Sequence, residues 1–111
     1  MQHGILTALS SDAPVVTDFN PFKGMEAAIT RRDREGVLIA PDEGIGFADA
    51  LKGYTHSAAR ISDLPQLGSI EPGKLADLII LDRDPLTTPP DRLIDIKIDK
   101  TYIGGACVWS R

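Results

Sequence analysis

The sequence predicts a mixed α/β chain: a short strand and helices in its first half, strands joined by tight turns in its second. Three patterns carry that prediction. Ile5 to Leu9 is a nearly continuous apolar run, the form taken by a strand covered on both faces. Two later stretches repeat apolar residues at helical spacing. Beyond Gly68 the pattern changes to turn signals and the two-residue period of a half-buried strand.

Each element has its own justification. The run at 5–9 closes on Ser10, Ser11 and Asp12, although five residues are also compatible with a buried helix turn. Ala13-Pro14 forces an extended or turning backbone, which places Asp12 where a strand ends and a loop begins. Asn20-Pro21 is a helix start, with Asn as N-cap and Pro in the first helical position. Phe22, Met25 and Ile29 follow at helical spacing. Arg31, Arg32 and Arg34 suit the negative end of the macrodipole, and Gly36 is the predicted stop.

After a loop through Pro41 and Gly44, the clearest helix runs from near Gly46 to near Ser62. Phe47, Leu51, Tyr54, Ala58 and Ile61 mark one face; Asp49, Lys52, His56 and Arg60 fall largely on the other. Glu71-Pro72-Gly73-Lys74 has the residues of a type II turn. Leu75 to Asp82 then reads as a strand centred on Leu78 to Leu81, followed by a proline-rich loop over Asp84 to Asp91. Ile94, Ile96 and Ile98 alternate with Asp95, Lys97 and Asp99 as in a strand, and the phase breaks at Lys100-Thr101 through a bulge. Gly104-Gly105 is a hairpin turn between Tyr102-Ile103 and Ala106 to Trp109.

Composition narrows the function classes. A chain of 111 residues is one domain at most, and burying ~65% of its unfolded surface gives a modest core. With 12 basic and 16 acidic residues the net charge is −4, which argues against nucleic-acid partners and anionic membranes. Aromatic residues, at 5%, are too few for a stacking platform. The Arg31, Arg32, Arg34 cluster is interrupted by Asp33 and reads as a solvated helix end. The single cysteine, Cys107, allows no internal disulfide and no thiolate zinc site, and it fits a reducing cytoplasm. No run reaches the ~20 apolar residues of a membrane span, so the expectation is a soluble, cytoplasmic chain.

Among candidate site residues, Asp12 stands out by position, with an ordinary loop or capping role as the alternative. His3 reads as a surface residue, and His56, on the polar side of its helix, as solvent-exposed rather than metal-bound. Asp77 and Asp82 flank a strand and are expected to end it or to accept backbone hydrogen bonds. Asp18 and Asp42 are loop acids without ligand-like spacing. Cys107 is expected in the core, and Trp109 as a cap on the strands.

Several stretches, in order, resemble the end of an amidohydrolase of the YtcJ-like, amidohydrolase-3 type. Ala8-Leu9-Ser10-Ser11-Asp12-Ala13-Pro14-Val15 is similar to the family's last barrel strand and its Ser-Asp-x-Pro-Val ending. Asn20-Pro21 through Ala27-Ala28-Ile29-Thr30-Arg31 is similar to the helical stretch that follows. Ala50-Leu51-Lys52-Gly53-Tyr54-Thr55 through Ala58-Ala59-Arg60 resembles the Ala-Leu-x-x-Tyr-Thr helix. Gly68 through Leu78 resembles the Gly-x-Ile-x-x-Gly-x-x-Ala-Asp-Leu signature by which the chain returns to a small β-sandwich. Lys100-Thr101 and Gly104-Gly105 match the closing strand pair.

The resemblance implies a parent enzyme with a (β/α)8 barrel and a composite β-sandwich domain. Residues 1–66 would be the terminal portion of the barrel and 67–111 the last strands of the sandwich. In such barrels the active site lies at the C-terminal ends of the strands, where Asp12 falls. The matching family aspartate faces one or two divalent metals, often zinc, as a ligand and proton acceptor for the bound water; the parent would hydrolyse C–N bonds of amide-type small molecules. A full site also needs a His-x-His pair and further ligands, which His3 and His56 do not supply. The chain alone is therefore expected to be inactive and without a metal or other cofactor, and it names no substrate-binding residue. The runner-up reading is a non-catalytic folding or oligomerisation module, self-associating through exposed strand edges. A third, an independent single-metal protein, is disfavoured by the ligand shortage.

Overall fold

The computed structural model describes residues 4–16 and 18–111; His3 lies outside them. The elements in chain order are α1 (Pro21–Thr30), a 3-10 turn at Pro41–Glu43, α2 (Phe47–Tyr54), α3 (His56–Ile61), β1 (Leu78–Leu81), a 3-10 helix at Pro90–Asp95, β2 (Ile98–Ile103) and β3 (Ala106–Ser110). The three strands form one antiparallel sheet in the order β1-β2-β3. The fold is mixed α/β, as the sequence predicts.

Helix α1 starts as its cap dictates. The Asn20 side chain accepts the Phe22 N–H at 3.0 Å, and Pro21 occupies the first helical position. The helix ends at Thr30, earlier than the predicted Gly36. Arg31 turns left-handed and returns its N–H to Ala27. The reason lies in Asp33, whose carboxylate accepts the backbone N–H groups of Glu35 and Val37 at 3.0 and 2.8 Å. A short polar side chain that offers the backbone such partners competes with continued helix.

The single helix predicted from Gly46 to Ser62 is two. Thr55, with φ −121° and ψ −92°, breaks it between α2 and α3. Its hydroxyl donates to the Leu51 carbonyl at 2.8 Å, and Gly53 just before it favours helix less than alanine by roughly 0.5–1 kcal/mol. No strand forms over residues 5–9 among the described residues; the segment has no regular secondary structure, and Leu9 donates its N–H to the Gly53 carbonyl at 3.1 Å instead of joining a ladder. An apolar run becomes a strand only where another strand lies alongside it.

The Ile94, Ile96, Ile98 alternation is also overturned over its first half. Pro89-Pro90 set the backbone for a 3-10 helix, closed by an Arg92–Asp95 ion pair of 2.6 Å. Leu93 and Ile96, three apart, both turn inward. Strand pairing begins only at Ile98. The bulge expected near Lys100-Thr101 is present: the β1–β2 register shifts between Ile80 and Leu81, and the β2–β3 register between Thr101 and Tyr102. Lys74 donates its N–H to the Glu71 carbonyl at 3.2 Å with Gly73 at φ +88°, as a type II turn requires. Gly104 and Gly105, both at positive φ, close the β2–β3 hairpin in a primed turn.

The core is small. Phe22 and Met25 of α1, Ala50 of α2, and Leu93 and Ile96 from the segment before β2 are its buried apolar residues, with Leu9, Phe47, Tyr54 and Leu81 packed around them. The 3-10 helix thus lies on α1 and ties the second half of the chain to the first. Among the described residues no helix is long and apolar enough to cross a membrane.

Candidate functional site

Asp12 follows, three residues on, the Leu9 that hydrogen-bonds to α2. Its backbone is left-handed, at φ +55°, a region that aspartate enters more readily than most non-glycine residues. The Ser10 hydroxyl accepts the Asp12 N–H at 3.2 Å, and the Asp12 carbonyl accepts the Val15 N–H at 2.9 Å across the turn. The side chain is exposed, and among the described residues its carboxylate makes no hydrogen bond or ion pair.

An open groove of about 620 Å³ runs along α1 beside this segment, with Ser10, Ser11, Asp18, Lys23, Arg32 and Tyr54 among its walls. Asp12 itself is not in that lining. Asp18 is held below the usual carboxylate range, chiefly because it accepts the Asn20 N–H and then because Lys23 donates to it at 3.0 Å. Burial pushes the Tyr54 phenol up. Its ring lies against Gly24 of α1, where an added Cβ would overlap the hydroxyl.

The other sequence candidates fall elsewhere. His56 is half-buried at the start of α3 rather than solvent-exposed, because the chain turns at Thr55 and brings its backbone against Gly68. Asp42 sits exposed in the Pro41–Glu43 turn. Asp77 and Asp82 take the backbone role expected of them: Asp77 accepts the Gly104 N–H at 2.7 Å and Asp82 the Lys97 N–H at 3.0 Å. Asp82 is also lowered to about 2, first by its hydrogen bond from Arg83 and then by that from Lys97. Cys107 is exposed, not in the core, because it lies on β3 at the sheet edge, which no other described segment covers. Trp109, on the same strand, is 47% exposed. The residues that sequence reasoning passed over are Gly24 and Gly53. A glycine inside a helical pattern is the available signal for a close approach.

The described residues contain no group of three or more His, Cys, Asp or Glu side chains placed to hold a metal. Asp12 and His56 are not brought together into such a set, so the donors present do not fit a complete metal site.

A mixed α/β chain with an exposed aspartate ahead of its helices, and a three-stranded antiparallel sheet after them, is the class that fold and site define. A family model described as the amidohydrolase family matches residues 1–109. The chain belongs to the amidohydrolase-3 family. It is 35% identical over 109 residues to the N-substituted formamide deformylase of Arthrobacter pascens, covering 97% of this chain and 20% of that protein. It is 33% identical over 112 residues to the putative amidohydrolase YtcJ of Bacillus subtilis (strain 168), covering 97% of this chain and 21% of that one. Among solved structures, the amidohydrolase from Thermotoga maritima MSB8 superposes with a TM-score of 0.72 at 29% identity, over 97% of this chain and 24% of that one. The chain thus spans about a fifth of the length of the relatives it matches.

Proposed function

We propose that this chain forms the end of a metal-dependent hydrolase that cleaves C–N bonds of small amide-type molecules. In this reading residues 1–66 complete a (β/α)8 barrel, residues 67–111 supply the last strands of a β-sandwich, and the protein is cytoplasmic. Asp12 is its catalytic carboxylate. The observation that carries the reading is an exposed aspartate whose carboxylate makes no hydrogen bond or ion pair among the described residues, inside a family match that spans 1–109. The deformylase relative, named for a formamide C–N bond, supports the substrate class.

A divalent cation, with zinc the first candidate, would supply the activation of water at such a site, and Asp12 is the residue of this chain that would face it. The described residues do not hold it, so the remaining ligands are assigned to polypeptide outside these 111 residues. What Asp12 supplies is a carboxylate that takes up a proton and returns it to the leaving nitrogen.

Two experiments test this. Elemental analysis of the dialysed chain is expected to find little zinc, manganese or iron, with no hydrolysis of N-substituted formamides; near one metal per chain would sink the assignment of ligands elsewhere. The second puts this chain into the Arthrobacter pascens deformylase in place of the segment it matches. Asp12→Asn in that chimera is expected to lower kcat by about 10²–10⁴-fold, and an unchanged kcat would remove Asp12 from the mechanism.

A second reading rests on the sheet. All five residues of β3 are exposed, and β3 is an edge strand. We propose that an isolated chain self-associates through such edges.

A further inference from the structure

We infer that Gly53 is the positioning residue for Asp12, because α2 holds the Asp12-bearing segment through that one glycine. Thr55 breaks the helix two residues later, so the Gly53 carbonyl belongs to the last turn, whose carbonyls have no intrahelical donor of their own. Leu9 supplies the donor, its N–H lying 3.1 Å from that oxygen. The same glycine makes room for the Leu9 side chain. A Cβ on Gly53 would lie 2.9 Å from Leu9 Cγ and 3.2 Å from Leu9 Cδ1, inside the distance real side chains keep. Gly53 is buried, and Leu9 packs at the margin of the core.

Among the described residues this hydrogen bond is the one backbone tie between the 5–12 segment and the helices. From Leu9 the chain runs through Ser10 and Ser11 to Asp12, with the Ser10 hydroxyl accepting the Asp12 N–H. A shift of Leu9 is therefore passed three residues on to the carboxylate. Seen from the helix, an alanine at position 53 would suit the helical backbone but push the segment away. A loop-borne group needs a rigid element behind it to stay within reach of its target.

This inference rests on the reading of Asp12 given above, and the test separates the two. In the 111-residue chain, Gly53→Ala is expected to speed Leu9 amide exchange by about tenfold or more and to move the Ser10 to Asp12 resonances, including the Asp12 carboxyl carbon. Leu9→Ala combined with Gly53→Ala removes the clashing Cγ and Cδ1 while leaving the Cβ, which would sit 3.6 Å away. That double variant is expected to return the Asp12 carbon signal to its original position, with the β2–β3 amides as an unchanged reference. An Asp12 signal unmoved by Gly53→Ala, or not restored in the double variant, overturns the inference. Should Gly53→Ala unfold the chain, the double variant decides alone: a native Asp12 signal supports the clamp, and any other result overturns it. These readouts need no activity. If Asp12→Asn in the chimera leaves kcat unchanged while the double variant rescues the signal, the clamp stands and the catalytic reading falls.

Discussion

At the scale of single residues the chain uses its acids in two ways. Asp33, Asp77, Asp82 and Asp18 spend their carboxylates on nearby backbone N–H groups, whereas Asp12 makes no such bond among the described residues. The contrast has a pH consequence. Asp82 sits at about 2 in the folded chain against an ordinary 3.8, chiefly through Arg83 and the Lys97 N–H. A depressed folded value means the unfolded chain binds the proton first, so the stabilisation is complete above about pH 4 and is lost as pH falls toward 2. Urea unfolding between pH 5 and 2 is therefore expected to show a falling midpoint in the parent chain, and a shallower fall in Asp82→Asn. Equal slopes would show that Asp82 is not the linked group. The backbone roles of Asp77 and Asp82 were legible as residue types at strand ends, although their partners, Gly104 and Lys97, lie 27 and 15 residues further along the chain. The approach of Leu9 to Gly53 was not, because it joins positions far apart along the chain.

At the scale of elements, what was read correctly is what local chemistry decides. The Asn20 cap, the type II turn at Gly73 and the Gly104-Gly105 hairpin each depend on a few adjacent residues. What was misread depends on tertiary partners. Alternating isoleucines at 94, 96 and 98 satisfy a strand, but Leu93 and Ile96 satisfy a 3-10 turn lying on α1 equally well, and the shared core with Phe22 and Met25 decides. Leu93 is fully buried, so Leu93→Ala is expected to cost about 2–5 kcal/mol. Removing the α1 cap with Asn20→Ala should cost about 1 kcal/mol. Chemical denaturation of both variants checks the order: if the cap change proves the costlier, the docking of the 3-10 helix on α1 is not what holds the halves together.

At the scale of the whole molecule, the sheet is the part whose apolar surface is least satisfied. Ile79 and Ile80 are neighbours on β1 and so point to opposite faces, yet they are 43% and 44% exposed. Ile103, Val108 and Trp109 are 58%, 55% and 47% exposed on the two strands beyond. A sheet that leaves apolar residues open on both faces, with an edge strand free of charged or proline residues from Ala106 to Ser110, has no device against pairing with another strand. The β2–β3 hairpin is closed by its own turn and by the Arg111–Asp99 ion pair of 2.7 Å, so the edge is presented as a formed strand. On the proposed self-association, mass action would favour the associated form as concentration rises. Sedimentation equilibrium on the chain is expected to show dimers or larger species. Val108→Lys, which places a charge on the edge strand, should raise the dissociation constant by about tenfold, equivalent to ~1.4 kcal/mol. A chain that stays monomeric at high concentration would mean that the edge is masked in solution, and the oligomerisation reading would fall with it.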